Sequence, residues 1–145
     1  MWHLYVVEGR VVVPTVALTE AGFYWNVEPC AVVDVADRDG LKDAIQAMIQ
    51  RGHPKVPTPS QESFKRPVVL KFTTARSWRA FEKKASFWML SQAEGHFLIS
   101  RGRLAGRGGW QFDPNCVHQI YKQRLEDVSA SFAEIVQRSE LRSDS

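Results

Sequence analysis

Histidines and cysteines are the residues of this chain whose chemistry could support metal binding or acid–base catalysis. Cys116 and His118 are separated by one residue, whereas His3, His53 and His96 are isolated from other metal-ligand side chains. Zinc sites need several ligands at short spacings, so a single Cys-x-His pair does not define one. A histidine could pair with a lysine or carboxylate in a metal-independent hydrolase, but most proteins contain these residue types and no nucleophile can be named. We predict no metal site, no cofactor and no enzymatic activity.

A second chemically distinctive segment combines arginine with glycine. The run R-G-R-L-A-G-R-G-G-W occupies 101–110 and places Arg101, Arg103 and Arg107 ahead of Trp110. A flexible cationic segment can follow a phosphate backbone while a tryptophan stacks on a base. The same composition also describes a hairpin loop with nothing bound. No P-loop, G-x-G-x-x-G or G-x-S-x-G pattern is present, so the segment does not predict a nucleotide or nucleophile site.

The positive charge of the chain is concentrated in its middle third. Residues 65–107 contain ten Lys or Arg and two acids, a net charge of +8, whereas 1–64 carry −3 and 108–145 carry −2. This asymmetry favours attraction to an acidic partner, either a nucleic acid or an acidic protein surface.

The elements that would position these cations can be predicted from apolar spacing. A stripe at helical periodicity predicts a helix from about Ala75 to Gln92, with Trp78, Phe81, Ala85 and Trp88 toward the core. Its opposite side carries Arg76, Arg79, Lys83, Phe87 and Leu90. Interfaces concentrate arginine and aromatic residues, so this mixed side suits partner binding. The alternative is a solvated basic face with Phe87 covered by the proline-rich segment that precedes it.

The first third of the chain is predicted to be β-structure. Trp2 to Val7 and Arg10 to Leu18 form a hairpin around Glu8-Gly9, and a third extended stretch runs from Phe23 to Val35. Pro14 cannot donate a hydrogen bond to a neighbouring strand, which predicts an edge or a bulge at that position.

The remaining elements alternate between helices, strands and one long loop. A helix capped by Asp37 or Asp39 ends at Gly52, and its apolar stripe is Leu41, Ala44, Ile45, Met48 and Ile49. Four prolines within 53–67 predict an irregular surface loop. Strands are predicted for 68–73 and 96–101, with one or two more between 110 and 121. The last helix has Leu125, Val128, Phe132, Ile135 and Val136 on one face, and 143–145 should fray.

Together these elements predict a single α+β domain over 1–145, with a mainly antiparallel sheet and about three helices packed on it. The length suits one domain, and 44% hydrophobic residues suit a packed core. No apolar run is long enough to cross a membrane, and MWHLYVVEGR lacks the features of a signal peptide. We therefore expect a cytoplasmic protein that has no contact with a membrane, with Cys30 and Cys116 as free thiols.

Two stretches resemble a known class of proteins: VVVPTVALTEAGFYWNVEPCAVVDV at 11–35, and VPTPSQESFKRPVVLKF followed by SWRAFEKKASFW within 56–88. They resemble the small bacterial immunity proteins encoded beside polymorphic or contact-dependent growth inhibition toxins. The resemblance covers about half of the chain. It implies a non-enzymatic inhibitor that neutralises a cognate toxin by forming a stoichiometric complex.

The resemblance and the charge pattern together leave two main hypotheses. In the first, the protein binds a toxin through Arg76, Arg79, Lys83, Phe87, Arg101, Arg103, Arg107 and Trp110. An inhibitor that imitated nucleic acid would be acidic, so the contact would have to be made through the acidic ends of the chain or with an acidic toxin surface. In the second, the same groups bind nucleic acid; a metal-independent hydrolase is a lesser alternative.

Overall fold

A computed structural model describes residues 1–106 and 110–143, with Ser143 described by its backbone alone. The predicted α+β fold is confirmed: one sheet of seven strands is packed with helices, and all but one of its strand pairings are antiparallel. Among the described residues, no helix is both long and apolar enough to cross a membrane.

The sheet places its strands in the order β3-β2-β1-β5-β6-β7, and the short β4 pairs in parallel with the end of β2. The bounds of the strands are β1 Trp2–Val7, β2 Arg10–Thr19, β3 Tyr24–Asp34, β4 Lys55–Val56, β5 Ser86–Ala93, β6 His96–Leu104 and β7 Trp110–Ile120. The helices are α1 Arg38–Arg51, α2 Gln61–Lys65, a 3₁₀ helix Val68–Phe72, α3 Trp78–Lys84 and α4 Leu125–Ser143.

The N-terminal hairpin and the following strand form as predicted. Glu8 and Gly9 both adopt positive φ angles in the tight turn, and β2 pairs with β1 on one side and β3 on the other. The register of the β2–β3 pair shifts between Val13 and Thr15. Pro14 therefore lies at a bulge in an interior strand, a position at which a residue without an N–H is tolerated.

Both outer strands of the sheet are interrupted by a proline. Pro29 lies between the paired positions Val27 and Ala31 of β3, and Pro114 lies in the part of β7 where the register shifts against β6. A proline and a bulge remove regular donors from an exposed edge. Neither edge is a long regular template for pairing with another strand.

Helices α1 and α4 cover one face of the sheet, which we call the helix face. Asp37 caps α1 by accepting a hydrogen bond from the Gly40 N–H, and Gly52 ends the helix, as predicted. The apolar stripe of α1 packs with that of α4 on strands β1, β2, β5 and β6. The buried residues of this core are Leu4, Val6, Val11, Val13, Val16, Val35, Leu41, Ala44, Ile45, Met48, Trp88, Leu90, Ile99, Val128, Phe132, Ala133 and Val136.

The opposite face of the sheet is covered by the chain between α1 and β5, and we call residues 57–85 the covering segment. This segment contains α2, the 3₁₀ helix and α3. Val69 and Phe81 from the segment are buried against Tyr5, Val7, Val12 and Phe87 of the sheet.

The prediction of one helix over 75–92 was wrong. Helix α3 ends at Lys84, Ala85 is extended, and the next eight residues form β5 in the interior of the sheet. The run from Phe87 to Leu90 is apolar at every position, so it satisfies a helical stripe and a strand buried on both faces equally well. The segment forms a strand because it pairs with β1 and β6. As a result, Phe81 and Trp88 lie in the cores of opposite faces of the sheet.

Three smaller predictions also need correction. Residues 68–72 form a 3₁₀ helix where a strand was predicted. The proline-rich segment 53–67 is not wholly irregular, because it holds β4 and the five-residue helix α2. Strand β6 continues to Leu104, so Gly102 and Arg103 belong to a strand. Fraying was predicted for 143–145; Ser143 belongs to α4, and 144–145 lie outside the described residues.

Candidate functional site

The covering segment carries a concentration of exposed positive charge. It contains seven Lys or Arg and two acids, a net charge of +5, and one of those acids, Glu82, is buried. Every one of the seven cations is exposed, and none takes part in the salt bridges found within the described residues. These cations are Lys65, Arg66, Lys71, Arg76, Arg79, Lys83 and Lys84.

We call the seven exposed cations of the covering segment the basic surface. Three of the predicted partner-binding residues belong to it. Arg79 and Lys83 are exposed on α3. Arg76 is exposed just before that helix, whose N-terminus is capped by the Ser77 side chain accepting from the Ala80 N–H at 3.1 Å. The structure therefore keeps Arg76, Arg79 and Lys83 available to a partner.

The two predicted aromatic contacts are packed into the protein. Phe87 is on β5 and not on a helix, its side chain is buried, and its ring stacks on Trp110 with centroids 5.1 Å apart. Trp110 is half-buried and also meets Trp78 edge-on at 5.7 Å. The prediction that Phe87 lies on an exposed helical side was wrong, because the residue belongs to a strand between β1 and β6.

Gly102 has a packing role that the composition of its segment did not reveal. A Cβ atom at this position would lie 2.8 Å from Cδ1 of Phe87 and 3.1 Å from Cβ of Trp110. Such contacts are too close for any larger residue, so the glycine permits the approach of two aromatic rings. Trp110, at the end of the predicted loop, is thereby brought against α3.

The arginines of the predicted loop do not join the basic surface as a group. Arg101 donates from Nη2 to Oγ of Ser86 at 2.9 Å, and its Nε lies 3.7 Å from Oε1 of Glu140 on α4. Glu140 also accepts a hydrogen bond from Nε1 of Trp88. Arg101 therefore belongs to the helix face, whereas Arg103 is exposed on β6. Arg107 lies outside the described residues.

Beside the basic surface, a pocket opens between strands β1 and β3 and the covering segment. Its volume is about 290 Å³. Aromatic side chains form most of its wall, and Tyr24 and Phe64 are substantially exposed, at 40% and 45%. No Asp, Glu, Lys or Arg is found among the described residues that line it. The lining residues are His3, Tyr5, Tyr24, Trp25, Asn26, Phe64, Pro67 and Trp78.

A hydrogen-bonded trio, His3–Asn26–Tyr5, forms the polar floor of this pocket. His3 Nε2 hydrogen-bonds with Oδ1 of Asn26, and Nδ2 of Asn26 donates to the Tyr5 hydroxyl at 2.9 Å. All three side chains are buried. Burial lowers the pKa of His3 to about 4 and raises the pKa of Tyr5. Both groups are therefore uncharged at neutral pH.

The uncharged side chains of this floor are suited to hydrogen bonding. A histidine with so low a pKa is a weak general base. Across 1–106 and 110–143, no group of three or more His, Cys, Asp or Glu is placed to hold a metal ion. Burial also raises the pKa of the half-buried Cys30 thiol to about 11, which opposes formation of a reactive thiolate.

Sequence reasoning missed this pocket although two signals mark it. His3 and Tyr5 alternate on an otherwise apolar strand, which points two polar side chains toward the same face of the sheet. The consecutive Phe23, Tyr24 and Trp25 precede Asn26 on a strand two positions away in the sheet. Only the order of the strands brings the two signals together.

Comparisons with known proteins define the fold and nothing finer. No protein-family model matches the chain, and no curated protein sequence matches it. The chain is similar to a solved structure described as a protein of unknown function from Neisseria meningitidis, with a TM-score of 0.62 and 12% sequence identity. The match covers 94% of this chain and 92% of that one, so the two share an overall fold.

Proposed function

We propose that the protein is a non-enzymatic inhibitor that binds another protein, most concretely an immunity protein that neutralises a cognate bacterial toxin in a stoichiometric complex in the cytoplasm. The observation that carries the proposal is the covering segment, whose seven exposed cations have no carboxylate partner among the described salt bridges. Exposed cations of one sign steer association with an acidic surface. The toxin would present that acidic surface.

The contact surface in this proposal is narrower than the one predicted from sequence. Arg76, Arg79 and Lys83 remain candidate contacts because they are exposed beside one another along the chain. Phe87 and Trp110 are assigned a supporting role, since their rings pack against each other and Trp110 also contacts Trp78 of α3. Arg101 is engaged with Glu140 on the helix face, so it is removed from the proposed contact.

A nucleic-acid-binding module is the second candidate, because the same exposed cations could release counterions from a phosphate backbone. Base stacking by Trp110 was part of that hypothesis. Its ring is packed against Phe87 and Trp78, so the aromatic platform that single-stranded nucleic acid requires is not offered there. We therefore favour a protein partner.

Co-expression with the product of the neighbouring toxin gene tests the proposal. We expect a stable one-to-one complex whose association rate falls by about tenfold or more when Arg79 and Lys83 are both replaced by Glu. The matched control is Lys122→Glu with Arg124→Glu, which changes the net charge equally at exposed residues outside the covering segment. Biolayer interferometry at low and moderate salt measures both variants.

Three outcomes would count against the proposal. Failure to recover any complex from the co-expressed pair would contradict it directly. Equal slowing by the two double variants would show that net charge and not the covering segment controls association. Tight binding of a single-stranded oligonucleotide, with an affinity that falls steeply between 50 and 200 mM salt and is lost with Arg79→Glu and Lys83→Glu, would favour the nucleic-acid module.

A further inference from the structure

The polar floor of the pocket leaves hydrogen-bonding capacity unused. His3 Nδ1 is buried and has no hydrogen-bond partner within the described residues. The Tyr5 hydroxyl accepts a bond from Asn26, and its own proton has no acceptor among the described hydrogen bonds. Buried polar atoms without partners cost free energy. The Tyr5 hydroxyl is therefore able to donate to a group that enters the pocket, and His3 Nδ1, which is fully buried, could accept from the same group after a small shift of its ring.

The walls restrict what such a group can be attached to. The pocket is bounded by the rings of Tyr24, Trp25, Phe64 and Trp78, with Phe64 and Trp25 in edge contact at 5.0 Å. Aromatic walls favour a flat ring that stacks or meets them edge-on. No charged side chain is found among the described lining residues, and the one charged group hydrogen-bonded to them in the described part of the chain is the Met1 ammonium, 3.4 Å from the Tyr24 hydroxyl, so the walls offer little compensation for an ionised ligand. These conditions favour an uncharged aromatic ring with one polar substituent.

Such a ring could belong to a free cofactor or to a side chain of a protein partner, and the size of the pocket helps to distinguish the two. Ligand pockets commonly measure about 300–1,000 Å³, and this one, at about 290 Å³, lies just below that range. It suits one ring better than a larger cofactor. The lining residues Phe64, Pro67 and Trp78 are sequence neighbours of the exposed cations Lys65, Arg66 and Arg79. A buried anchor surrounded by a polar rim is the usual arrangement at a protein interface, and tyrosine is a frequent anchor.

We propose that this pocket receives a tyrosine side chain of the protein partner, with the phenol ring between the aromatic walls and its hydroxyl hydrogen-bonded to the polar floor. A phenol both donates and accepts, which matches the floor formed by His3, Asn26 and Tyr5. Only the source of the ring rests on the proposed function. The preference of the pocket for a phenol is a separate property that can be measured without the partner.

The experiment titrates the whole protein with p-cresol, the side-chain analogue of tyrosine, and with toluene, which lacks the hydroxyl. Trp25 and Trp78 line the pocket, so their indole N–H signals in a ¹H–¹⁵N NMR spectrum report on binding. We expect saturable binding of both compounds, with p-cresol bound about three- to tenfold more tightly, as one additional hydrogen bond would give.

Two variants and a control test the roles of floor and wall. Tyr5→Phe should remove most of the p-cresol advantage and leave toluene binding unchanged. Phe64→Ala alters a wall residue that is 45% exposed, so it should leave the fold intact and weaken both compounds. Tyr121→Phe removes a hydroxyl from a side chain that is 64% exposed and is not among the lining residues; it should change neither affinity.

The inference is overturned if neither compound shifts the Trp25 and Trp78 signals of the folded wild-type protein. Equal affinities for p-cresol and toluene, or loss of the p-cresol advantage in Tyr121→Phe, would also overturn it. Uracil bound more tightly than p-cresol would assign the pocket to a small free heterocycle. If a toxin complex forms while p-cresol does not bind, the inference fails and the proposed function stands. If p-cresol binds and no complex forms, the preference of the pocket for a phenol stands, but its assignment to a partner's tyrosine fails together with the proposed function.

Discussion

The two faces of the sheet differ in the way they treat polar and charged groups. On the helix face the buried core is mainly aliphatic, with Trp88 and Phe132 as its aromatic members, and several neighbouring charges are paired, as in Lys42–Glu126 at 3.3 Å and Glu134–Arg138 at 2.7 Å. On the opposite face the core is small and aromatic and adjoins the buried trio His3–Asn26–Tyr5. The cations of its covering segment are exposed and lie outside the described salt bridges.

This difference indicates a division of roles within one small domain. Seventeen described residues form the buried core of the helix face, against six on the opposite face. Since burial of apolar surface dominates stability, the helix face should contribute most of it. Exposed cations outside the described salt bridges add little to stability, so their concentration on the other face is better explained by binding. The following predictions test this comparison.

The largest expected effect is on the helix face. Phe132 on α4 is wholly buried, and Phe132→Ala should lower the free energy of unfolding by about 3–5 kcal/mol. Urea denaturation measures this loss. The control Leu141→Ala, on the same helix but 44% exposed, should change stability by less than about 0.5 kcal/mol. Folded Phe132→Ala protein should still bind p-cresol with wild-type affinity; weakened binding would show that the two faces are not independent.

An intermediate effect should come from pH at the polar floor. His3 has a pKa of about 4 in the folded protein against an ordinary value of 6.5, so between these values the unfolded chain binds a proton that the folded protein does not. The contribution of neutral His3 is complete above pH 6.5 and is lost as the pH falls toward 4. The loss amounts to about 3 kcal/mol.

His3→Gln isolates this term from the titration of carboxylates. The amide of glutamine can still bond to Asn26 but does not titrate, so the decline in unfolding free energy between pH 6.5 and 4 should be shallower by about 3 kcal/mol. His118→Gln, at an exposed position on β7, is the matched control and should keep the wild-type decline. Identical pH profiles for His3→Gln and wild type would refute the assignment of a buried, neutral histidine.

The smallest expected effect distinguishes a supporting residue from a contact residue. Trp110 is half-buried and stacks on Phe87, so Trp110→Ala should cost about 2 kcal/mol, less than a wholly buried tryptophan. Phe112→Ala, two residues further along β7 and 52% exposed, should cost less than about 0.5 kcal/mol. If thermal unfolding shows that Trp110→Ala is as stable as wild type, Trp110 does not support the fold, and its ring again becomes a candidate for partner contact.

Much of the fold could be predicted because its signals are local. The β1–β2 hairpin follows from β-prone runs on either side of Glu8-Gly9, and α1 follows from an amphipathic stripe between a capping aspartate and Gly52. The segment from Ala75 to Gln92 could not be predicted in this way. Its apolar positions match helical and strand patterns alike. The segment becomes a strand because β5 pairs with both β1 and β6, and that pairing depends on the whole sheet.

The candidate site divides along the same line. The exposure of Arg76, Arg79 and Lys83 could be predicted, because charged side chains without buried partners remain in water. The burial of Phe87 could not be predicted, because it depends on the position of β5 in the sheet. The pairing of Arg101 could not be predicted either, because it depends on the position of Glu140 in α4.

The sequence by itself determined the α+β class, the hairpin, both long helices and the concentration of positive charge in the middle of the chain. These depend on composition, on turns and on periodicity within a few residues. Only the tertiary structure decided which cations join the described salt bridges, which aromatic rings are buried, and that His3, Tyr5 and Asn26 share the floor of one pocket. Those properties depend on contacts between residues distant in sequence, and the pairing of β1, β2 and β3 creates them.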